Sequence, residues 1–245
     1  MISRRSVSAG MTLAALLIVL AAAGAARAQS LRVMPVNIQL APGQSATTLT
    51  VINEGSTATA IQVRAYAWNQ SDGTDQLTDT DELLASPPLA TIAPEETQVV
   101  RLVLRRTPKG REATYRILLD QIPAAAAPGM VQVVMRMSIP VFAEPATRAV
   151  PHVQFHIERD AGQAYLVAVN DGLRHEAIRG VVLSASDGST LKNDSGASPY
   201  VLAGATRRWP IDAQAHLPPT GEFLHMKAHA DAGALDQQVR IVGIP

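Results

Sequence analysis

Residues 130–145 read M-V-Q-V-V-M-R-M-S-I-P-V-F-A-E-P. Val131, Val133, Met135, Met137 and Ile139 share one parity, and Gln132, Arg136 and Ser138 share the other. A period of two marks a β-strand with one apolar and one polar face. Roughly 10 such residues at about 3.3 Å each reach about 30 Å or more, well past the usual strand of about 5–6 residues. A small sandwich does not readily bury so long an apolar row within itself. Two readings follow: a long core strand running into a linker, or a strand whose side chains are offered to another chain. In strand addition of the second kind, main-chain hydrogen bonds give affinity and alternate side chains give specificity.

The N-terminus reads as a processing signal. Arg4 and Arg5 form a basic start, Met11 to Ala23 is an apolar run short for a membrane span, and Ala26-Arg27-Ala28 is a small-x-small cleavage site. Residues 1–28 are expected to be cleaved, leaving an exported chain in a bacterial periplasm; an uncleaved anchor is the alternative. The paired arginines leave the general secretory and twin-arginine routes both open. No other segment is apolar enough to span a bilayer, so no membrane insertion of the mature chain is expected. Losing Arg4, Arg5 and Arg27 takes 21 basic residues to 18 against 21 acidic ones, a net charge of −3. Nucleic acid is a poor partner for such a surface, because binding phosphate backbones needs a basic surplus.

The first half is a run of short strand patterns: 31–40, 47–53, 60–68, 89–92, 98–106 and 112–122, then the long strand. In 60–68, Ile61, Val63, Ala65 and Ala67 share one face, and Gln62, Arg64, Tyr66 and Trp68 the other. Pro35 gives the opening strand an edge position, since proline cannot donate to a ladder. Residues 70–81 read as a polar loop rich in glycine and aspartate. Turn signals every 8–15 residues, about seven strands and no amphipathic helix point to an all-β, immunoglobulin-like sandwich. With 47% hydrophobic residues over 245 positions, the chain has core enough for two domains, and without cysteine it has no disulfides. Residues 146–151, bounded by Pro145 and Pro151, form the expected linker between domains at 29–145 and 152–245. Seven further strand-like segments fill the second half. One echo joins the halves: TLTVINEG-STATAI and YLVAVNDG-LRHEAI each set an apolar residue, Ile61 or Ile178, eight positions after Asn53 or Asn170. The simplest account is two sandwiches of one type in tandem, with a glycine free to take φ > 0 in each turn. Asn-acid-Gly turns are also common by chance.

Signs of chemistry are sparse. His152 and His156, like His225 and His229, stand four apart in strand-like segments, where four residues span roughly 13 Å. Neither pair alone chelates an ion, and no metal site is expected. There is no phosphate-cradling glycine loop and no G-x-S-x-G. Nothing argues for catalysis or a cofactor. Tyr66 and Trp68 suit packing, with a stacking platform as the alternative. Arg101, Arg116 and Arg136 each interrupt an apolar strand. An unpaired buried guanidinium is costly, so each reaches solvent, meets an acid or awaits a partner's anion.

With TLTVINEG, VRAYAW, SPPLATIAPEETQVVRL, REATYRILLDQIP and VQVVMRMSIPVFAEP in this order, the chain resembles the periplasmic pilus-assembly chaperones of the chaperone–usher pathway. S-I-P-V-F and Y-R-I-L-L-D-Q-I-P look most like the archaic, spore-coat-U-type branch. The resemblance implies two immunoglobulin-like domains set as an L, pilin subunits as partners, and delivery to an outer-membrane usher. It implies that residues 130–142 are the donor strand, lending Val131, Val133, Met135 and Met137 to a subunit that lacks its last strand. It implies no cofactor. Better-known members hold the subunit's C-terminal carboxylate with an arginine in the first strand and a lysine in the donor strand. Here the aligned residues are Asn37 and Pro140, which carry no charge. Arg116 is the first candidate for a substitute anchor and Arg101 the second. Members also join their domains by a salt bridge; Glu112 matches its acid, but Glu144 stands where its base is expected. A transient self-dimer capping the donor edge would follow from the liability of free edges. A structural pilus subunit or adhesin, and a periplasmic enzyme or binding protein on the same fold, are the competing classes.

Overall fold

The computed structural model describes residues 31–123, 129, 133–160, 163–191, 198–212 and 217–243. The expected signal segment and Val131 lie outside them. All regular structure among these residues is β. The first half carries β1 (Leu31–Met34), β2 (Ile38–Leu40), β3 (Ala46–Asn53), β4 (Thr59–Ser71), β5 (Thr74–Asp79), β6 (Leu83–Ser86), β7 (Leu89–Ile92), β8 (Thr97–Leu104), β9 (Ala113–Ile122) and β10 (Arg136–Ala143). They form one sheet in the order β1-β3-β8-β6 and another in the order β2-β10-β9-β4-β5, with β7 also on β4.

The alternation in the sequence decides the faces. Leu49, Val51, Val100 and Leu102 from one sheet meet Ile61, Val63, Tyr115, Ile117, Leu119, Ile139 and Val141 from the other in one buried core. The opening segment is not the single strand that 31–40 suggests. β1 pairs with β3 and β2 with β10, so the chain changes sheets around Pro35, where no amide is available to continue a ladder. Between β6 and β7 the chain changes sheets again, at Pro87.

Residues 70–81 are a second correction. β4 runs on to Ser71 and returns as β5, a hairpin closed by Asp72 and Gly73, both at positive φ. Asp-Gly flanked by strands is the primed-turn signal, and here it outweighs the polarity of the flanks.

The second half holds β11 (Val153–Asp160), β12 (Gln163–Asn170), β13 (Glu176–Ala177), β14 (Arg179–Ser184), β15 (Thr190–Leu191), β16 (Tyr200–Val201), β17 (Ala205–Ile211), β18 (Phe223–Ala230) and β19 (Gly233–Gly243). β19 pairs with β18 over Gly233–Arg240 and then with β11 over Ile241–Gly243, tying both layers around a core that includes Ile157, Leu166, Trp209, Met226 and Val239.

The echo has a structural cause that the sequence reading assigned wrongly. Neither Gly55 nor Gly172 is at positive φ. Instead the two fully buried asparagines repeat one hydrogen-bond pattern. Asn53 donates Nδ2 to the carbonyls of Thr57 (2.8 Å) and Ile92 (3.0 Å) and accepts from the Gly55 amide (3.0 Å). Asn170 donates to Arg174 (2.8 Å) and Val201 (3.1 Å) and accepts from Gly172 (3.0 Å). Each asparagine thus pairs backbone groups that burial would otherwise strand. Gly172 is needed for space: a Cβ there would stand 2.3 Å from the backbone nitrogen of His152.

Candidate functional site: an open strand edge beside an interdomain cluster

β10 pairs with β9 along its whole length but with β2 only at Val141–Ala143. Over Arg136–Pro140 its second edge has no strand beside it among the described residues. The inward row fades out along the same stretch. Val141 is fully buried and Ile139 nearly so, Met137 and Met135 pack only partly on the core, and Val133 is 88% exposed. The apolar row therefore runs past the end of the sandwich that ought to bury it.

Among the described residues the paired strand begins at Arg136. The register explains this. Arg136 lies opposite Asp120, and β9 ends two residues later at Ile122, with Pro123 next. Of the described residues before Arg136, Met135 still reaches back, accepting from the Gln121 amide at 2.9 Å. The alternation is also less strict than the parity reading has it. Val134 falls on the polar parity yet is apolar, and it is 46% exposed.

The three strand arginines have different surroundings. Arg136 and Arg64 share Asp120, with Arg64 Nη2 at 2.6 Å from its carboxylate. Burial pushes the Asp120 carboxyl up, but hydrogen bonds from Arg136 and Arg64 outweigh it and hold the group below its ordinary range. Its stability contribution is then present above pH about 4 and lost as pH falls through the lower folded value. Asp120→Asn should cost about 0.5–1 kcal/mol at neutral pH, modest because both arginines are partly solvated, and the gap to wild type should close in acid. Urea unfolding at pH 7 and pH 3 measures it.

Arg101 is exposed on β8, in the sheet that does not contain β10, opposite Thr48 and Ser86. The structure does not bring it to β10. Arg116 on β9 lies directly opposite Pro140. Its guanidinium carbon sits 3.7 Å from the Trp68 ring centroid and 5.8 Å from that of Tyr200, and Nη2 donates to Ser198 Oγ at 3.4 Å. Burial lowers its pKa, which Asp75 and Tyr200 partly offset. It makes no ion pair with the described residues. Asn37 reaches the same place, donating to the Tyr200 hydroxyl at 3.3 Å, and its Oδ1 is buried without a partner. Asn37 and Pro140 thus both adjoin the surroundings of Arg116.

The outer faces of β4 and β10 end against the second half. Trp68, Phe142 and Leu202 form a small core of their own with Tyr200 packed on it. Phe142 stacks on His175 with centroids 3.5 Å apart. Trp68 is thus an interdomain packing residue, while Tyr66 accepts a hydrogen bond from Arg64 at 2.9 Å. Buried Glu112 accepts from the His175 backbone at 3.0 Å and from its Nδ1 at 2.7 Å. Arg174 lies 4.0 Å from Glu112 and 3.5 Å from Glu144. The cation missing at 144 is therefore supplied by 174, facing both acids from the second half. Arg174 and His175 escaped the sequence reading, although the echo held the signal: in the first copy their positions are Thr57 and Ala58.

Of the spaced histidines, His152 contacts Asp171, His156 lies 3.1 Å from Glu158, and His225 contacts Asp236. Each of these three faces a carboxylate.

Residues 30–149 match the family of pili and flagellar-assembly chaperones, PapD N-terminal domain. Similar solved structures include the CsuC–CsuE chaperone–tip adhesion subunit pre-assembly complex from archaic chaperone–usher Csu pili of Acinetobacter baumannii. That match has 23% identity, covers 88% of this chain and 100% of the other, and has a TM-score of 0.63. The YadV chaperone is 16% identical over 86% of this chain and 98% of its own, with a TM-score of 0.61. A chain of the Salmonella enterica SafA pilin–SafB chaperone complex is 14% identical over 89% and 98%, with a TM-score of 0.58. At these identities the likeness is one of fold. A comparison with curated protein sequences returns no match.

Proposed function

Because the first sandwich belongs to the PapD N-terminal domain family of pili and flagellar-assembly chaperones, we propose that this chain captures pilus subunits by lending them residues 130–142 as a strand. One observation carries the reading: an apolar row, Met137, Met135 and Val133, that loses its cover residue by residue beside a strand edge unpaired among the described residues. A subunit sandwich lacking its last strand supplies what both features lack, backbone partners for the edge and an apolar groove for the row. With Val131, three or four such side chains contribute roughly 5–10 kcal/mol before association costs, at about 1.5–3 kcal/mol each. Arg116 is the proposed seat of the subunit's C-terminal carboxylate. Its guanidinium carbon lies 3.7 Å from the Trp68 ring centroid, and the guanidinium makes no ion pair among the described residues.

In this reading the chain works in the periplasm after losing residues 1–28, the linker is 146–151, and an outer-membrane usher takes over the subunit. Co-expression with neighbouring small exported open reading frames, followed by pull-down, is the direct test. Recovery of a pilin-sized chain supports the reading; a chaperone that emerges alone from every pairing contradicts it.

A further inference from the structure

The chain has no cysteine, so its seven methionines are its only sulfur. Four of them are among the described residues. Met226 is fully buried in the second core, and Met34 is 45% exposed. Met135 and Met137 lie between these extremes, packed on the first core from one side only. They occupy successive inward positions at the start of β10, where its second edge has no strand among the described residues, so solvent reaches the row they belong to.

We propose that Met135 and Met137 form an oxidation site that switches subunit capture off when peroxide converts them to sulfoxides. The inference rests on the donor-strand reading, because the sulfoxides act by spoiling the fit of that row. A hydroperoxide transfers one oxygen atom to the thioether sulfur. The S–O bond forms as the O–O bond breaks, sulfur loses two electrons, and the peroxide departs as water or alcohol. The product is polar and stiffer than the thioether. Two sulfoxide oxygens entering an apolar groove find no donors there, and an unpaired buried polar group opposes binding. A bound subunit covers the same sulfurs, so capture and oxidation exclude one another.

The test treats the purified chain with hydrogen peroxide and follows each methionine by peptide mass spectrometry. Met135 and Met137 are expected to oxidise on the time scale of Met34, with Met226 slower by about tenfold or more. In the complex recovered by co-expression, both should be protected about tenfold. Peroxide-treated free chain should capture subunit about tenfold less than untreated chain, or worse. A Met135→Leu/Met137→Leu variant, scored against its own untreated capture, should lose none. Sulfurs at 135 and 137 that react no faster than Met226 overturn the proposal, as does a doubly oxidised wild type that captures normally. If untreated wild type captures nothing, the donor-strand reading is what fails, and the oxidation rates still decide whether the site reacts.

Discussion

Val133→Asp abolishes subunit capture and leaves the free chaperone folded. The two halves of that expectation come from one number: Val133 is 88% exposed. Nothing in the free chain packs on it enough for a carboxylate to disrupt, and surface substitutions generally stay within about 0.5 kcal/mol. In the complex the same side chain would enter an apolar groove, where an ionised carboxylate costs several kcal/mol. Affinity should fall by about 100-fold or more. Val133→Ala should weaken capture more mildly, by about tenfold, through lost apolar area alone. An unchanged thermal midpoint with loss of pull-down places the effect in the complex. A Val133→Asp chain that still recovers its subunit means that residues 133–137 are an ordinary strand end.

Arg116→Ala weakens capture by about 10–100-fold, the range for losing a charge-assisted hydrogen bond to a carboxylate. The complication is that Arg116 also packs between Trp68 and the second half of the chain. Two comparisons separate the roles. Arg116→Lys keeps the charge but loses the planar fork, so it should recover only part of the affinity. A subunit whose C-terminal carboxylate is capped as an amide should bind wild type and Arg116→Ala alike, since their difference is the carboxylate contact. If the amide subunit still prefers wild type by the full factor, Arg116 is an interdomain packing residue and the anchor lies elsewhere. Arg101, exposed on the other sheet, is expected to matter little: Arg101→Ala is the matched control.

The fold was legible wherever alternation was strict. Ile61/Val63 and Tyr115/Ile117/Leu119 face the core as their parity requires. What failed were features set by neighbours rather than by period. The sheet change around Pro35 needs β10 as partner, and β10 starts where β9 runs out, so neither boundary is written in its own segment. The β4–β5 hairpin was lost because its polar flanks resembled a loop, although Asp72-Gly73 was the stronger signal. The Asn-acid-Gly echo pointed to a real repeat, but the repeated object is a buried asparagine bonding to backbone rather than a left-handed glycine.

The site divided in the same way. The apolar row was visible as an excess of apolar positions, and exposure added where cover ends: partly at Met137 and Met135, almost wholly at Val133. The interdomain contacts were not visible. Arg174 and His175 meet Glu112 and Glu144 only because two sandwiches dock, and no spacing within the chain encodes that approach. The same docking puts Phe142, two positions beyond Pro140 on β10, against His175. The far end of the strand is thereby fixed, while its near end is left open.

Amide hydrogen exchange of the chaperone, alone and in its subunit complex, tests strand donation most directly. Donation predicts strong new protection across residues 133–140, which include the stretch Arg136–Pro140 whose second edge is unpaired among the described residues. It also predicts little change at Val141–Ala143, which β2 already covers. Unchanged exchange across 133–140 in a stable complex, with new protection confined to another face such as β3 and β8, would contradict it.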